Sequence, residues 1–182
     1  MNLSGGHPRT PGADDIVEEL WAREQIRDVL YRYCRGIDRY DVELVRSCYH
    51  DDATDAHGVY NGDVEGFIEL VHQFRGPKSE YGTTQHLLGN ILIERTGDVA
   101  EVESYLYNEL VPRDPGAGLP DILVGGRFLD RFECRDGRWA IAKRRLVFDY
   151  SRIRPSTPKM WEAWPEGDVI LGRPDTEDPL YR

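Results

Sequence analysis

The sequence predicts a single α+β domain, helices first and a curved antiparallel sheet after them. Three observations carry that prediction. Apolar residues recur at helical spacing through the first part of the chain, long alternating runs separated by Gly-containing turns follow from residue 84, and 182 residues suit one domain with tails. A domain of that size buries roughly 70 % of its unfolded surface, enough to enclose a core and a small cavity.

Taken in order, MNLSGGHPRTPGADD is rich in Gly and Pro, so residues 1 to 13 are expected to form a disordered tail. Asp14 or Asp15 then caps the first helix, in which Ile26, Val29, Leu30, Tyr33 and Ile37 share one face of a 3.6-residue period. Gly36 suits the end of that helix. After RGIDRYD, Asp41 can cap a second short helix whose Val42, Val45, Cys48 and Tyr49 share a face. HDDATDAHGVYNG reads as a short strand closing on an Asn-Gly turn, and Asp63 caps a third helix carrying Val64, Phe67, Ile68, Val71 and Phe74. The strands that follow are HLLGNILIE, VAEVESYLYNEL, ILVGGRFLDRFEC and WAIAKRRLVFDY, joined by an RTGD turn, the loop VPRDPGAGLPD and an RDGR turn. The domain is therefore expected over 14 to 150. Residues 151 to 182 hold five prolines, which bar a central strand or a long helix, and Trp161 and Trp164 predict an extension packed on the domain or on a neighbouring subunit.

The formal charge of −10 is spread along the chain, so a nucleic acid would be repelled by the mean field. Cys34, Cys48 and Cys134 are odd in number and have no metal-ligand spacing, which reads as reduced thiols of a cytoplasmic protein. With no basic-then-apolar leader and no 18-residue apolar window, neither a signal peptide nor a membrane span is expected. HDDATDAH gathers His50, Asp51, Asp52, Asp55 and His57, donors enough for a metal. Their placement across a helix end and a strand start favours a solvated loop, and no metal or cofactor site is expected, since a phosphate loop, a nucleophile elbow and a dinucleotide fingerprint are all missing.

Asp38 ends the first helix and His86, in TQHLLGN, opens the first long strand, so packing the helices on the sheet can bring the two together. A carboxylate on one imidazole nitrogen fixes the tautomer and stabilises the imidazolium, leaving the other nitrogen to take a proton from carbon. Taken alone, a buried histidine satisfied by a carbonyl and an aspartate capping a turn account for the same residues. Tyr33 alone is more often a core residue, and Arg144 alone more often a solvated strand residue or ion-pair partner.

IRDVLYRYCRGIDRYDVELVRSCYHDDA, TQHLLGN and GRWAIAKRRLVFDY together resemble the SnoaL-like branch of the nuclear transport factor 2 superfamily, over roughly residues 16 to 150. Order and spacing are similar to those of its bile-acid dehydratases and hexachlorocyclohexane dehydrochlorinases, and more distantly of its scytalone dehydratases. The resemblance implies a cone-shaped curved sheet with three N-terminal helices around a cavity, and a His-Asp pair for cofactor-free elimination. By position it implies Asp38 and His86 as that pair, Tyr33 as the helix residue five before the aspartate, and Arg144 as the arginine after the last strand's tryptophan, with Arg145 adjacent. A further acidic group of the bile-acid enzymes has only Glu103 and Glu109 as candidates.

The expectation is a dehydratase-type lyase acting on a small hydrophobic ring compound, with His86 as base, Asp38 holding it, and Tyr33 and Arg144 stabilising developing negative charge. The same pair could serve a ketosteroid-type isomerase or a polyketide cyclase. A ligand-binding module, or a subunit like the small subunit of ring-hydroxylating dioxygenases, is the non-catalytic rival. The resemblance further implies a homo-oligomer, a trimer ahead of a dimer.

Overall fold

The computed structural model describes residues 12–164 and 170–181. Helices α1 (Ala13–Asp38), α2 (Val42–Ser47) and α3 (Val64–Arg75) accompany strands β1 (Tyr49–His57), β2 (Tyr60–Asp63), β3 (Tyr81–Thr96), β4 (Val99–Pro112), β5 (Pro120–Arg135) and β6 (Arg138–Pro155). One six-stranded sheet runs β2-β1-β6-β5-β4-β3, antiparallel throughout except where β1 lies parallel to β6. Register shifts at Gly89/Leu92 in β3 and in β6 opposite Gly125/Gly126 and Arg131/Phe132 are bulges, which bend long strands and deepen their twist. α1 packs against β3 and β6, and α3 against β1, β2 and β3, so the helices line one face of the bent sheet. The α+β class and the curved antiparallel sheet are as the sequence predicts.

The core sits between those layers. Ile26 and Leu30 of α1, Val45 of α2 and Phe128, Phe132 and Ile141 of the sheet are all fully buried. Each such side chain contributes about 1.5–3 kcal/mol of transfer free energy. Asp41 and Asp63 cap α2 and α3 as predicted, accepting from the backbone N–H of Leu44 at 3.0 Å and of Gly66 at 2.9 Å.

Several local expectations are corrected. The expected tail falls outside the described residues except for Gly12 and Ala13; Gly12 precedes α1, and its N–H donates to Asp15 Oδ2 from within the first turn. Gly36 does not end α1, which runs two residues further. It marks instead a close approach, since a Cβ there would stand 2.7 Å from Val45 Cγ2. The hairpin turn between β1 and β2 is Gly58-Val59, with Gly58 at φ +66°, whereas Asn61 and Gly62 sit inside β2 opposite Ala56 and Asp55. A glycine opening a two-residue loop meets the positive φ that the hairpin twist requires. Phe74 does not share the buried face of α3 and is exposed.

β6 also crosses the expected domain boundary, pairing as far as Pro120↔Pro155 before proline ends it. Beyond it, the described C-terminal residues return to α1. Buried Asp178 accepts from the N–H of Arg173 and of Leu180 and pairs with Arg39 at 3.3 Å. The hydroxyl of Tyr181 donates to Asp41 Oδ2 at 3.2 Å, and Arg35 lies over the Tyr181 ring. The anchor is thus polar, and Trp161 and Trp164 remain largely exposed.

Opposite the β6 bulge, a Cβ on Gly126 would stand 2.3 Å from the carbonyl oxygen of Val147, a backbone atom that cannot yield. Gly126→Ala is expected to destabilise the protein by about 2 kcal/mol and to lower the melting midpoint by about 4–8 °C, read by thermal unfolding. An unchanged midpoint would place that close approach elsewhere.

Candidate functional site

Asp38 is the last residue of α1 and His86 lies early in β3, two elements in direct contact. Asp38 Oδ1 stands 2.6 Å from His86 Nδ1, and the backbone N–H of His86 donates to both carboxylate oxygens, at 3.0 and 3.2 Å. Only 6 % of the His86 side chain and 12 % of the Asp38 side chain is exposed. One carboxylate thus grips both the ring and the backbone of a single residue. The carboxylate assigns the proton to Nδ1, which leaves Nε2 with a free lone pair.

His86 borders a hollow of about 330 Å³ between the helices and the sheet, walled by apolar side chains that include Ile37, Phe67, Val71, Leu106 and Leu146. Tyr33 lies on the same wall. Its phenol is buried, which pushes its pKa well above the ordinary value and keeps it a neutral O–H donor. The other polar residues around the hollow are His57, Arg75, Thr84 and Asn108, and the Thr84 hydroxyl donates to Asn108 Oδ1 at 2.7 Å. His86 also faces a second space of about 570 Å³, bounded by Thr83, Gln85, Lys159, Trp161 and Arg173, so the imidazole stands where an apolar and a polar compartment meet.

Arg144 is placed differently from its expected role. The register turns Arg144 inward and leaves Arg145 exposed, which decides between the two. Arg144 is wholly buried behind the hollow, its Nε and Nη2 donating to Asp130 at 2.8 and 2.6 Å, and it is not among the residues that wall the hollow. Its guanidinium lies 4.0 Å from the ring centroids of both Tyr33 and Phe128. Burial opposes both charges of the pair. It pushes the Asp130 carboxyl up, while the Asp130 carboxylate more than restores the charge of Arg144. The structure therefore sets His86 and Tyr33 on one hollow, with Asp38 bonded to His86, and places Arg144 one layer back, against Tyr33. Glu103 and Glu109 have other partners, Glu103 lying 3.9 Å from Arg127 and Glu109 bonded to Arg154.

The HDDATDAH segment is not a solvated loop. It forms β1, with His50 and Asp55 buried and His57 half-buried. Asp55 Oδ2 accepts from the Tyr49 hydroxyl at 2.6 Å, its Oδ1 lies 3.4 Å from His57 Nδ1, and the His57 ring packs 5.0 Å from that of Phe67 on the wall of the hollow. The signal was present: residues 55 and 57 lie two apart on a strand and share its inner face. No cluster of metal-ligating side chains occurs among the described residues.

The three cysteines are unpaired. Burial pushes the Cys34 thiol up to about 12 and the Cys48 thiol up to about 11, so neither forms an appreciable thiolate at pH 8. A disulfide-exchange reagent at pH 8 is expected to spare both in the folded protein and to titrate all three after unfolding in guanidinium. Rapid reaction at Cys34 in the native state would show that the α1 packing opens.

The SnoaL-like domain profile matches residues 18–145. No curated protein matches the chain. Similar solved structures include a type 2 hexachlorocyclohexane dehydrochlorinase (LinA), 21 % identical with TM-score 0.70, over 84 % of this chain and 99 % of that one. A scytalone dehydratase-like protein from Novosphingobium aromaticivorans is 18 % identical with TM-score 0.63, over 82 % and 98 %. A Mycobacterium tuberculosis protein of unknown function, Rv3472, is 28 % identical with TM-score 0.62, over 76 % and 78 %.

Proposed function

The chain belongs to the SnoaL-like domain family, with its NTF2-like fold, and on that premise we propose that it is a cofactor-independent lyase that dehydrates a small hydrophobic ring compound. The observation that carries the reading is the 2.6 Å contact between Asp38 and His86 Nδ1 at the edge of an apolar hollow. The family and its dehydrochlorinase-type and dehydratase-type neighbours support it.

In this reading the ring compound seats against Phe67, Val71 and Leu106, and His86 Nε2 takes a proton from carbon. Asp38 holds the ring and balances the imidazolium that forms. The electron pair of the broken C–H bond becomes the new double bond as hydroxide leaves the neighbouring carbon. The hydroxide departs as water with a proton returned by His86. The Tyr33 O–H, neutral because it is buried, donates to the oxygen on which charge develops, and Arg144 acts through the Tyr33 ring by its positive field. A positioned base supplies about 10²- to 10⁴-fold and one electrostatic donor about 10²- to 10³-fold, so both are needed.

The test is turnover on a panel of hydroxylated steroids, terpenoids and polyketide fragments, read by mass spectrometry. A product lighter by one water is expected. A product of unchanged mass would replace the reading with an isomerase or cyclase, and binding without turnover would make the protein a carrier.

A further inference from the structure

Arg144, implied by the resemblance as an oxyanion-stabilising group, is committed to Asp130, so the hollow needs another cation if charge is to develop inside it. Arg75 borders it. It is the last residue of α3, and with Phe67 and Val71 it falls at i, i+4 and i+8, on the helix face that walls the hollow. Its Nε and Nη1 are buried and have no hydrogen-bond partner among the described residues. A half-buried arginine with two buried, unmet donors is costly, and native structures rarely keep one without a use.

Burial pulls the Arg75 pKa down to about 10, the Asp38 carboxylate opposes that fall, and Arg113 adds to it, so the side chain stays protonated at neutral pH. Arg75 borders the same hollow as His86. Its long side chain can turn the guanidinium fork toward a bound oxygen without moving the helix.

We infer that Arg75 is the anion-binding residue of this hollow, and that the compound bound there carries a carbonyl or carboxylate oxygen conjugated to the carbon that loses its proton. The inference rests on the hollow being the reaction site. As His86 Nε2 takes the proton, the C–H electron pair moves into a carbon–carbon double bond and the carbonyl π pair moves onto oxygen, where Arg75 donates to it. Collapse of that enolate expels the β-hydroxide, which takes the proton from His86 and leaves as water. A ring compound with an isolated alcohol and no adjacent carbonyl is a poor substrate on this account.

Two isosteric probes test it without a known substrate: 2-naphthoate, whose carboxylate mimics the enolate charge, and neutral 2-naphthamide, each titrated calorimetrically into the full chain. With a net charge of −10, the protein's mean field disfavours the anion, so a preference for it reports a local cation. The wild-type protein is expected to bind 2-naphthoate about 10- to 100-fold more tightly than 2-naphthamide, the span of a charge-assisted hydrogen bond. Arg75→Met is expected to erase that preference while leaving 2-naphthamide affinity within about threefold, and Arg75→Lys to keep part of it. Arg75→Gln serves should the methionine variant fold poorly, as checked by circular dichroism. Equal binding of both probes by the wild-type protein, or a preference that survives in Arg75→Met, overturns the role of Arg75 and leaves the hollow as a ligand site. Failure of both probes to bind overturns both the role of Arg75 and the hollow as a site for ring compounds.

Discussion

Replacing His86 with alanine is expected to lower turnover of any substrate found in the dehydration panel by about 10²- to 10⁴-fold, with little change in the melting midpoint. The imidazole makes one hydrogen bond that matters to its position, to Asp38, and the backbone N–H of residue 86 keeps its own bonds to the same carboxylate after truncation. The α1-to-β3 junction therefore survives, and the loss falls on the reaction. Asp38→Asn is expected to lose a similar factor by another route. An amide holds the ring less firmly and cannot balance an imidazolium, so activity falls while substrate affinity stays close to that of the wild type. If His86→Ala keeps full activity, the base lies elsewhere, and His57, paired with Asp55 on the same hollow, is the next residue to replace.

Asp130→Ala is expected to be the most destabilising single substitution, costing about 3–5 kcal/mol, a large share of the stability of an ordinary domain. It strands the Arg144 guanidinium, wholly buried and with Nη1 unpartnered among the described residues, between Tyr33 and Phe128. An arginine cannot discharge to escape burial, whereas a carboxyl can take up a proton. Arg144→Met is therefore expected to cost less than Asp130→Ala, and the double variant Asp130→Leu, Arg144→Met to recover most of the loss. Urea unfolding of the three variants checks the order. An Asp130→Ala protein within about 1 kcal/mol of the wild type would mean that the buried pair is not a closed unit.

Much of this was legible from residue pattern alone because the signals were local. The apolar stripe of α1, the aspartates at 41 and 63 and the alternating strands each report a short-range preference. The Asp38 and His86 contact was anticipated only by combining a helix end with a strand start and a family resemblance, since 48 positions separate the two. What escaped was long-range or set by register. Gly58 rather than Asn61-Gly62 makes the hairpin turn because β1 runs on to His57 and so carries the turn past the expected place. A segment spread over a helix end and a strand start reads as a solvated loop, and the parallel pairing of β1 with β6, which buries Asp55, leaves no local mark. Arg144 was found by position but not by surroundings, because its partner Asp130 lies on the adjacent strand. Arg75 falls in register with Phe67 and Val71, yet a charged residue on an apolar stripe at a helix C-terminus looks like an ordinary complement to the helix dipole.

Solvent deuterium exchange measures proton abstraction apart from loss of the leaving group. The panel compound that turns over, or its fluorinated analogue if elimination is too fast, is incubated in D₂O with the wild-type protein, with Asp38→Asn and with His86→Ala, and deuterium at the acidic carbon is followed by NMR. The wild-type protein is predicted to incorporate deuterium at that carbon, Asp38→Asn to do so at least about 10²-fold more slowly, and His86→Ala to match the protein-free control. Equal incorporation in His86→Ala and wild type would contradict the assignment of His86 as the group that takes the proton.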